Sequence, residues 1–427
     1  MTLDVLIVNA RQVLTLAAQG PKIGDALGDL GIIEDGAVGL AQGRIAWVGD
    51  SRCLPDTGSL DATIVIVATD KVVMPGFVDA HTHAVFAGAR AQEFEQRIKG
   101  ATYLEIMAAG GGIMSTVRAT RECGLASLVA QSRRRLDGML AHGTTTAEVK
   151  TGYGLDTTNE LKCLEALRLL AASHPMDIVP TFLGAHAVPD ECKGDSEAYT
   201  DLVVNEMLPK VASYASRWPS PTPYPLFCDV FCEEGAFSLA QSRRILEAAR
   251  KLGFKLKIHA DEFTSLGGAA LAAELGATSA DHLACTPPSD MDRLAKAGVV
   301  AVLLPGTTFG LGERHYADAR ALIASGVPVA LGSDLNPGTC YCESMQFIVA
   351  LACRYLRLSP AEAIAAATIN AAYAVGLGHL TGSLEVGKRA DLILLDVPDY
   401  RHLVYRFGTN VVKMVIKNGS PVSGAAP

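Results

Sequence analysis

Apolar and polar positions follow two different rhythms along the chain. At both ends the pattern is short and strand-like. LDVLIVNA, GAVGLAQGRIAWVG and TIVIVATDKVV near the N-terminus alternate or form β-branched runs, as do ADLILLD and NVVKMVIKNGSPV near the C-terminus. The last of these holds an Asn-Gly pair, a hairpin-turn signal. Neither end segment is large enough to bury a core alone, so the two are expected to pair into one composite β-sandwich domain made of residues 1–73 and 376–427.

Between them, across residues 74–375, strand-like apolar runs alternate with amphipathic helical stretches, which is the signature of parallel βαβ units. The strand candidates are VVMPGFVDAH, TTTAEVK, IVPTFLGAH, LFCDVFCEE, LKIHADE, TSADHL, VVAVLLP and PVALGSD. The helical stretches include LASLVAQSRRRLDGMLAHG, NELKCLEALRLLAAS, LAQSRRILEAARKLG and DMDRLAKAG. Eight βα units predict a closed (β/α)8 TIM barrel, an α/β fold. The segment WPSPTPYP (218–225) reads as a Pro-rich connection.

Composition narrows the picture. The chain has 427 residues, 49% hydrophobic and 19% charged, with a net charge of −8. That suits a barrel with a smaller companion domain and excludes a disordered chain. Lys and Arg are scattered rather than gathered in a basic stripe, so no nucleic acid is expected as a partner. No apolar run approaches the roughly 18 residues of a membrane span, and the N-terminus lacks the plan of a signal peptide. Ten cysteines without a CxxC pair read as reduced thiols in the cytoplasm.

In a barrel, chemistry gathers at the C-terminal strand ends. The candidate strands end on His81-Thr82-His83, His186, His259, Asp281-His282 and Ser333-Asp334, whereas the seventh, ending Leu303-Leu304-Pro305, offers no such group. His81 and His83 are two apart, so both imidazoles face one side of a strand. With His259 and Asp334 they supply three nitrogen donors and a carboxylate, a set that suits one zinc or iron ion per subunit. His142, His174, His315, His379 and His402 stand outside this pattern; His142 and His174 close helices, where a cation is favoured. Gly110-Gly111-Gly112 lacks Walker spacing and binds no nucleotide on this reading. The fourth strand candidate, LFCDVFCEE, lacks a lysine to bridge two metals, and Lys150 reads as structural, paired with Glu148 or another acid.

PGFVDAHTH (75–83), the histidines of the fifth and sixth strands, GSD (332–334) and GSLEVGKRADLILLD (382–396) resemble the amidohydrolase superfamily over the whole chain. More narrowly, HAVFAGAR (83–90), GATYLEIMAAGGGI (100–113), EVKTGYGLD (148–156), FLGAHAVP (182–189), HADEF (259–263) and GSDLNPGT (332–339) are similar to the imidazolonepropionase family. The resemblance implies hydrolytic opening of 4-imidazolone-5-propanoate to N-formimidoyl-L-glutamate in histidine degradation, with water activated by the metal. It implies His81, His83, His259 and Asp334 as metal ligands. It assigns substrate contacts to Arg90, Tyr153, His186, Glu262 and Thr339, and product contacts to Tyr153, Asn336 and Gly338. His282 matches the histidine near the reacting water, and the family tends to form homodimers.

These chemistries fit the side chains. Arg90 offers a fork for the substrate carboxylate. Asp334 can take the water's proton, His282 can hold charge on the developing oxygen, and Glu262 can shuttle a proton to the departing nitrogen. Two other readings stay open at this point: another mononuclear amidohydrolase, such as a purine or pyrimidine deaminase, and a barrel scaffold without chemistry.

Overall fold

The computed structural model describes residues 2–54, 61–101, 105, 110–218 and 224–424. The expected connection at 218–225 and the motif at 100–113 lie partly outside these residues. The strands run β1 (Thr2–Leu14), β2 (Ile32–Ala41), β3 (Arg44–Asp50), β4 (Asp61–Val67), β5 (Val72–Pro75), β6 (Phe77–Asp79), β7 (Thr144–Lys150) and β8 (Asp177–Ala185). They continue as β9 (Phe227–Cys232), β10 (Lys255–Ala260), β11 (Ser279–His282), β12 (Val300–Leu303), β13 (Val329–Leu331), β14 (Leu392–Leu395), β15 (Val412–Lys417) and β16 (Ser420–Gly424).

Strands β6 to β13 form an eight-stranded sheet in sequential order, every neighbouring pair parallel. The two edges meet where Thr82 bridges Leu335 in parallel, with His83 N donating to Leu335 O at 2.9 Å and Asp334 N to His81 O at 2.9 Å. This contact, just beyond β6 and β13, all but closes the barrel and joins its first and last strand ends, the two places that carry the strongest ligand motifs.

Side-chain alternation then sorts the strands. One parity (Ala147, Val149, Cys228, Val230, Ile258, Ala260, Ala280) packs outward into the large core shared with the helices. The other parity points into the barrel, where Glu148, Lys150, Asp229, Lys257, His259, Ser279 and Asp281 are buried. The amphipathic stretches become helices Leu125–Ala141, Thr157–Ser173, Leu239–Lys251 and Pro288–Ala297. His142 and His174 cap the first two, as their positions predict. No helix among the described residues is long and apolar enough to cross a membrane.

Both chain ends build a second, mixed sheet in the order β16-β15-β14-β5-β1-β2-β3, with β4 also pairing β1. It has its own apolar core, including Val5, Ile7, Val13, Val38, Leu392 and Ile416. The Asn418-Gly419 pair turns β15 into β16 with positive φ at both residues, as a tight hairpin needs. One expectation is corrected: VVMPGFVDAH is two strands. β5 pairs with β1 and β14 of the terminal sheet, and only β6, beyond Gly76, enters the barrel. The reason is local. A Cβ on Gly76 would overlap Thr145, so glycine lets the chain pass close to β7 as it changes sheets.

The two sheets are tied by a buried ion cluster. Lys417 Nζ lies 2.5 Å from Asp177 Oδ2, at the start of β8, and 2.6 Å from Asp391 Oδ2; Arg389 pairs with the same two aspartates. Lys417→Met should lower stability by about 2 kcal/mol, below the 3–5 kcal/mol usual for an orphaned buried charge, because Arg389 still neutralises both carboxylates. Denaturant titration checks this, and a variant as stable as the parent would show that Arg389 alone suffices.

Candidate metal centre and active site

The centre is built from strand ends. Thr82 is held on both sides, by the bridge to Leu335 and by Lys150 N donating to Thr82 O at 2.9 Å. Its neighbours His81 and His83 therefore both turn into the barrel mouth. Their Nε2 atoms lie 3.3 Å apart, and Asp334 Oδ1 is 3.6 Å from the first and 3.4 Å from the second. The His259 ring, from β10, sits 4.5 Å from His81 and 5.2 Å from His282 at the end of β11. Backbone φ is positive at Asp334 (51°) and His282 (76°), a left-handed conformation that non-glycine residues keep only where packing enforces it.

The donor atoms fit one divalent cation. Asp281 Oδ2 lies 2.6 Å from His81 Nδ1 and Asp229 Oδ2 lies 3.0 Å from His259 Nδ1. Asp281 holds the His81 proton on Nδ1 and leaves the lone pair on Nε2, the outer-shell arrangement of metal-binding histidines, while Asp229 stands beside His259 Nδ1 as a charge partner without a hydrogen bond to it. Burial drives the His81, His83 and His282 imidazoles well below the usual histidine range, so they are neutral. Asp334 Oδ1, His83 Nδ1 and both ring nitrogens of His259 are buried with no hydrogen-bond partner. Lone pairs and a carboxylate oxygen packed this closely repel one another unless a cation sits among them. His81, His83 and Asp334 form one compact ligand group, and His81, His259 and His282 form a second that shares His81.

Behind the ligands lies Lys150, its side chain fully buried. Its Nζ is 2.7 Å from Glu148 Oε1, 2.8 Å from Asp229 Oδ2 and 3.6 Å from Asp281 Oδ2. Burial alone would lower the ammonium pKa, but these carboxylates outweigh it and hold the proton firmly. Lys150 is thus the counter-charge to both carboxylates that stand beside ligand histidines.

The remaining candidates surround the cluster on different sides. On the His83 side, His186 stacks on its ring at 4.8 Å, and Tyr153 lies 5.4 Å from His186. The Tyr153 loop is wrapped around Glu160, whose carboxylate accepts from Gly154 N at 2.7 Å and Leu155 N at 2.9 Å. Gly154 approaches the Glu160 backbone too closely for any Cβ, which explains the glycine beside Tyr153. Burial depresses His186 to about 3 and raises the Tyr153 phenol above its ordinary value.

On the opposite side, Glu262 Oε1 lies 3.5 Å from His282 Nδ1. Burial, with the charges of Asp334 and Glu233, pushes the Glu262 carboxyl well above the usual range. A cavity of about 240 Å³ opens beside these two residues, walled in part by Leu303, Leu304, Thr307 and Tyr316. The seventh strand itself offers no polar group, as expected, but Thr307 supplies one from beyond it. It sits on the helix Pro305–Leu311 just after β12, and its hydroxyl donates to Asp334 Oδ2. Burial raises Asp334 to about 6 against the pull of that hydroxyl.

After Asp334 the chain turns through Asn336-Pro337-Gly338-Thr339. Asn336 Oδ1 accepts from Gly338 N and Thr339 N, both at 2.8 Å, and its Nδ2 donates to Asp334 O at 2.8 Å. Arg90 lies against Gly338, and its Nε bonds Glu93 Oε2 at 2.8 Å. All the residues expected at the site thus gather around one barrel mouth. Asp229, Asp281, Glu160 and Thr307 went unassigned from the sequence. Asp229 and Asp281 carried a signal, being acids with inward parity near strand ends, whereas Thr307 carried none.

The family model of the amidohydrolases matches residues 72–422. An imidazolonepropionase from Herpetosiphon aurantiacus is 54% identical over 98% of this chain and 97% of its own length. One from Symbiobacterium thermophilum is 52% identical over 97% and 96%. Among solved structures, a variant atrazine chlorohydrolase from Arthrobacter aurescens, complexed with zinc and atraton, superposes with a TM-score of 0.76 at 16% identity, covering 98% of this chain and 95% of the other, a likeness of fold. The chain belongs to the amidohydrolase family, among the imidazolonepropionases.

Proposed function

We propose that this chain opens the ring of 4-imidazolone-5-propanoate by hydrolysis to give N-formimidoyl-L-glutamate. What supports the reading is that the candidate metal ligands and an arginine meet at one loop: Asp334 begins the turn against whose Gly338 the Arg90 guanidinium lies. A nucleobase has no carboxylate for Arg90 to bind, so this juxtaposition favours the imidazolone acid over a deaminase substrate.

In this reading His81, His83, His259 and Asp334 hold one zinc or iron ion. Such an ion polarises a carbonyl and brings the pKa of water towards about 7. Asp334, whose second oxygen is turned to the Thr307 hydroxyl, accepts a proton from the attacking water. The neutral His282 orients that water and donates to the oxygen on which charge develops. Glu262, protonated more readily than an exposed glutamate, carries a proton to the departing ring nitrogen. Arg90 clamps the propanoate, while Tyr153, His186, Asn336, Gly338 and Thr339 bound the rest of the molecule. We also infer that residues 1–73 with 376–427 and residues 74–375 form two domains, a division supported by the two sheets except that β5 carries Met74 and Pro75 into the terminal sheet. The ten free cysteines favour a cytoplasmic setting.

The deciding experiment incubates the purified protein, with its metal quantified, with imidazolone propanoate and follows formimidoylglutamate. No ring opening, together with ammonia release from a nucleobase, would overturn the reading. Arg90→Lys should raise KM about tenfold or more with a smaller change in kcat, because an ammonium loses the bidentate fork. Steady-state kinetics tests it, and an unchanged KM removes Arg90 as the anchor.

A further inference from the structure

A second arginine reaches the carboxylate end of the site. The helix Ala91–Ile98 follows directly on Arg90, and Arg97 stands two turns along it. Arg97 Nη2 donates to Gly338 O at 2.8 Å, across 241 residues of sequence. The same glycine packs against the Arg90 guanidinium so closely that a Cβ would overlap it. Two guanidinium groups therefore grip one residue of the loop that begins at Asp334. The grip is continuous with the metal centre, since Asn336 ties Gly338 N to Asp334 O through its side chain.

The charges around Gly338 are unbalanced. Glu93 bonds Arg90 Nε, and among the described residues no other carboxylate is paired with Arg90 or Arg97. Arg97 is half-buried, and its hydrogen-bond partner there is a neutral carbonyl. Burial and the neighbouring Arg90 charge both lower its proton affinity, the mark of two cations held close together. Among the pairs formed by described residues here, two guanidinium groups face the single carboxylate of Glu93. One added carboxylate would balance the group and relieve the repulsion between the arginines.

We infer that Arg97 is a specificity-determining residue, pinning the Gly338 carbonyl and adding a second positive charge to the place where the substrate's carboxylate binds. This rests on the ring-opening reading above and deepens it, because it explains why the site selects an acid rather than merely tolerating one. It also gives the glycine at 338 a reason. A Cβ at 338 would meet the Arg90 guanidinium, so any larger residue there would displace that group from the loop.

The test compares wild type, Arg97→Met and Arg97→Lys on imidazolone propanoate and on its neutral propanamide analogue. Arg97→Met should raise KM for the propanoate about tenfold and keep kcat within about threefold, leaving KM for the propanamide unchanged. Arg97→Lys, which keeps the charge and loses the fork, should fall between the two; it also carries the test should Arg97→Met fail to fold. An unchanged KM for the propanoate overturns the inference. So does an equal rise for both substrates, which is what a purely structural arginine would produce. A wild-type chain that opens neither ring removes the activity reading and this inference with it, whereas an active wild type beside unaffected Arg97 variants removes this inference alone.

Discussion

Glu262→Gln is expected to lower kcat by about two to four orders of magnitude, the range general acid–base catalysis supplies, while metal content stays at the wild-type level. Glutamine keeps the size and the hydrogen-bonding capacity of the side chain and removes only the proton it can carry. Glu262 stands three residues past His259 and lies 3.5 Å from His282, outside the four residues proposed to hold the ion and outside both compact donor groups. Loss of metal is therefore not the route by which this change should act. Stability gives a second check with a definite sign. The folded carboxyl holds its proton more tightly than the unfolded one, whose pKa is about 4.3. The glutamate thus weakens folding as pH rises from that value towards its raised folded pKa, and glutamine lifts this penalty. At neutral pH the variant should melt no lower than wild type. Near-normal turnover with full metal occupancy would remove the proton-shuttle role. A large fall in melting temperature would point to a packing role instead.

Lys150→Met is expected to act on folding and on metal affinity together. Lys150 sits fully buried among Glu148, Asp229 and Asp281. Taking it away leaves three carboxylates in the barrel with no cation of their own, and orphaning buried charge costs about 3–5 kcal/mol. Unlike Lys417, which has Arg389 beside it, Lys150 has no neighbouring guanidinium in reach of its partners among the described residues. The second effect follows from what those partners hold. Asp281 orients His81 and Asp229 stands beside His259, so repulsion among the acids should turn the rings away from the shared centre. Loss of outer-shell partners typically weakens metal binding by about 10–100-fold. Denaturant unfolding and chelator competition measure the two effects separately. A less stable variant with unchanged metal affinity would make Lys150 a core ion only. A variant unaltered in both would sink the assignment.

Much of this site was legible from the chain because the chemistry follows strand parity. His81 and His83 two apart, His259 at the end of β10 and Asp334 just beyond β13 are positions that a period of two and a barrel place in one mouth. The outward parity was equally readable, since Val149, Ile258 and Ala280 are apolar and pack against helices. The division of VVMPGFVDAH into β5 and β6 was not. Both halves are extended and apolar, and only their partners, β1 and β14 on one side and β7 on the other, tell them apart.

The sequence by itself determined the element types, the barrel and the identity of the groups that meet at its mouth, because these depend on spacings within a strand or a helix. Only the tertiary structure decided how those groups are held. Asp281 reaches His81 across 200 residues, Arg97 reaches Gly338 across 241, and Thr307 reaches Asp334 from a strand end with no ligand motif. No local pattern encodes such pairs. They arise from the assembly of the barrel, which brings strand ends and the segments that follow them within a few ångströms, where a buried polar atom must find a partner.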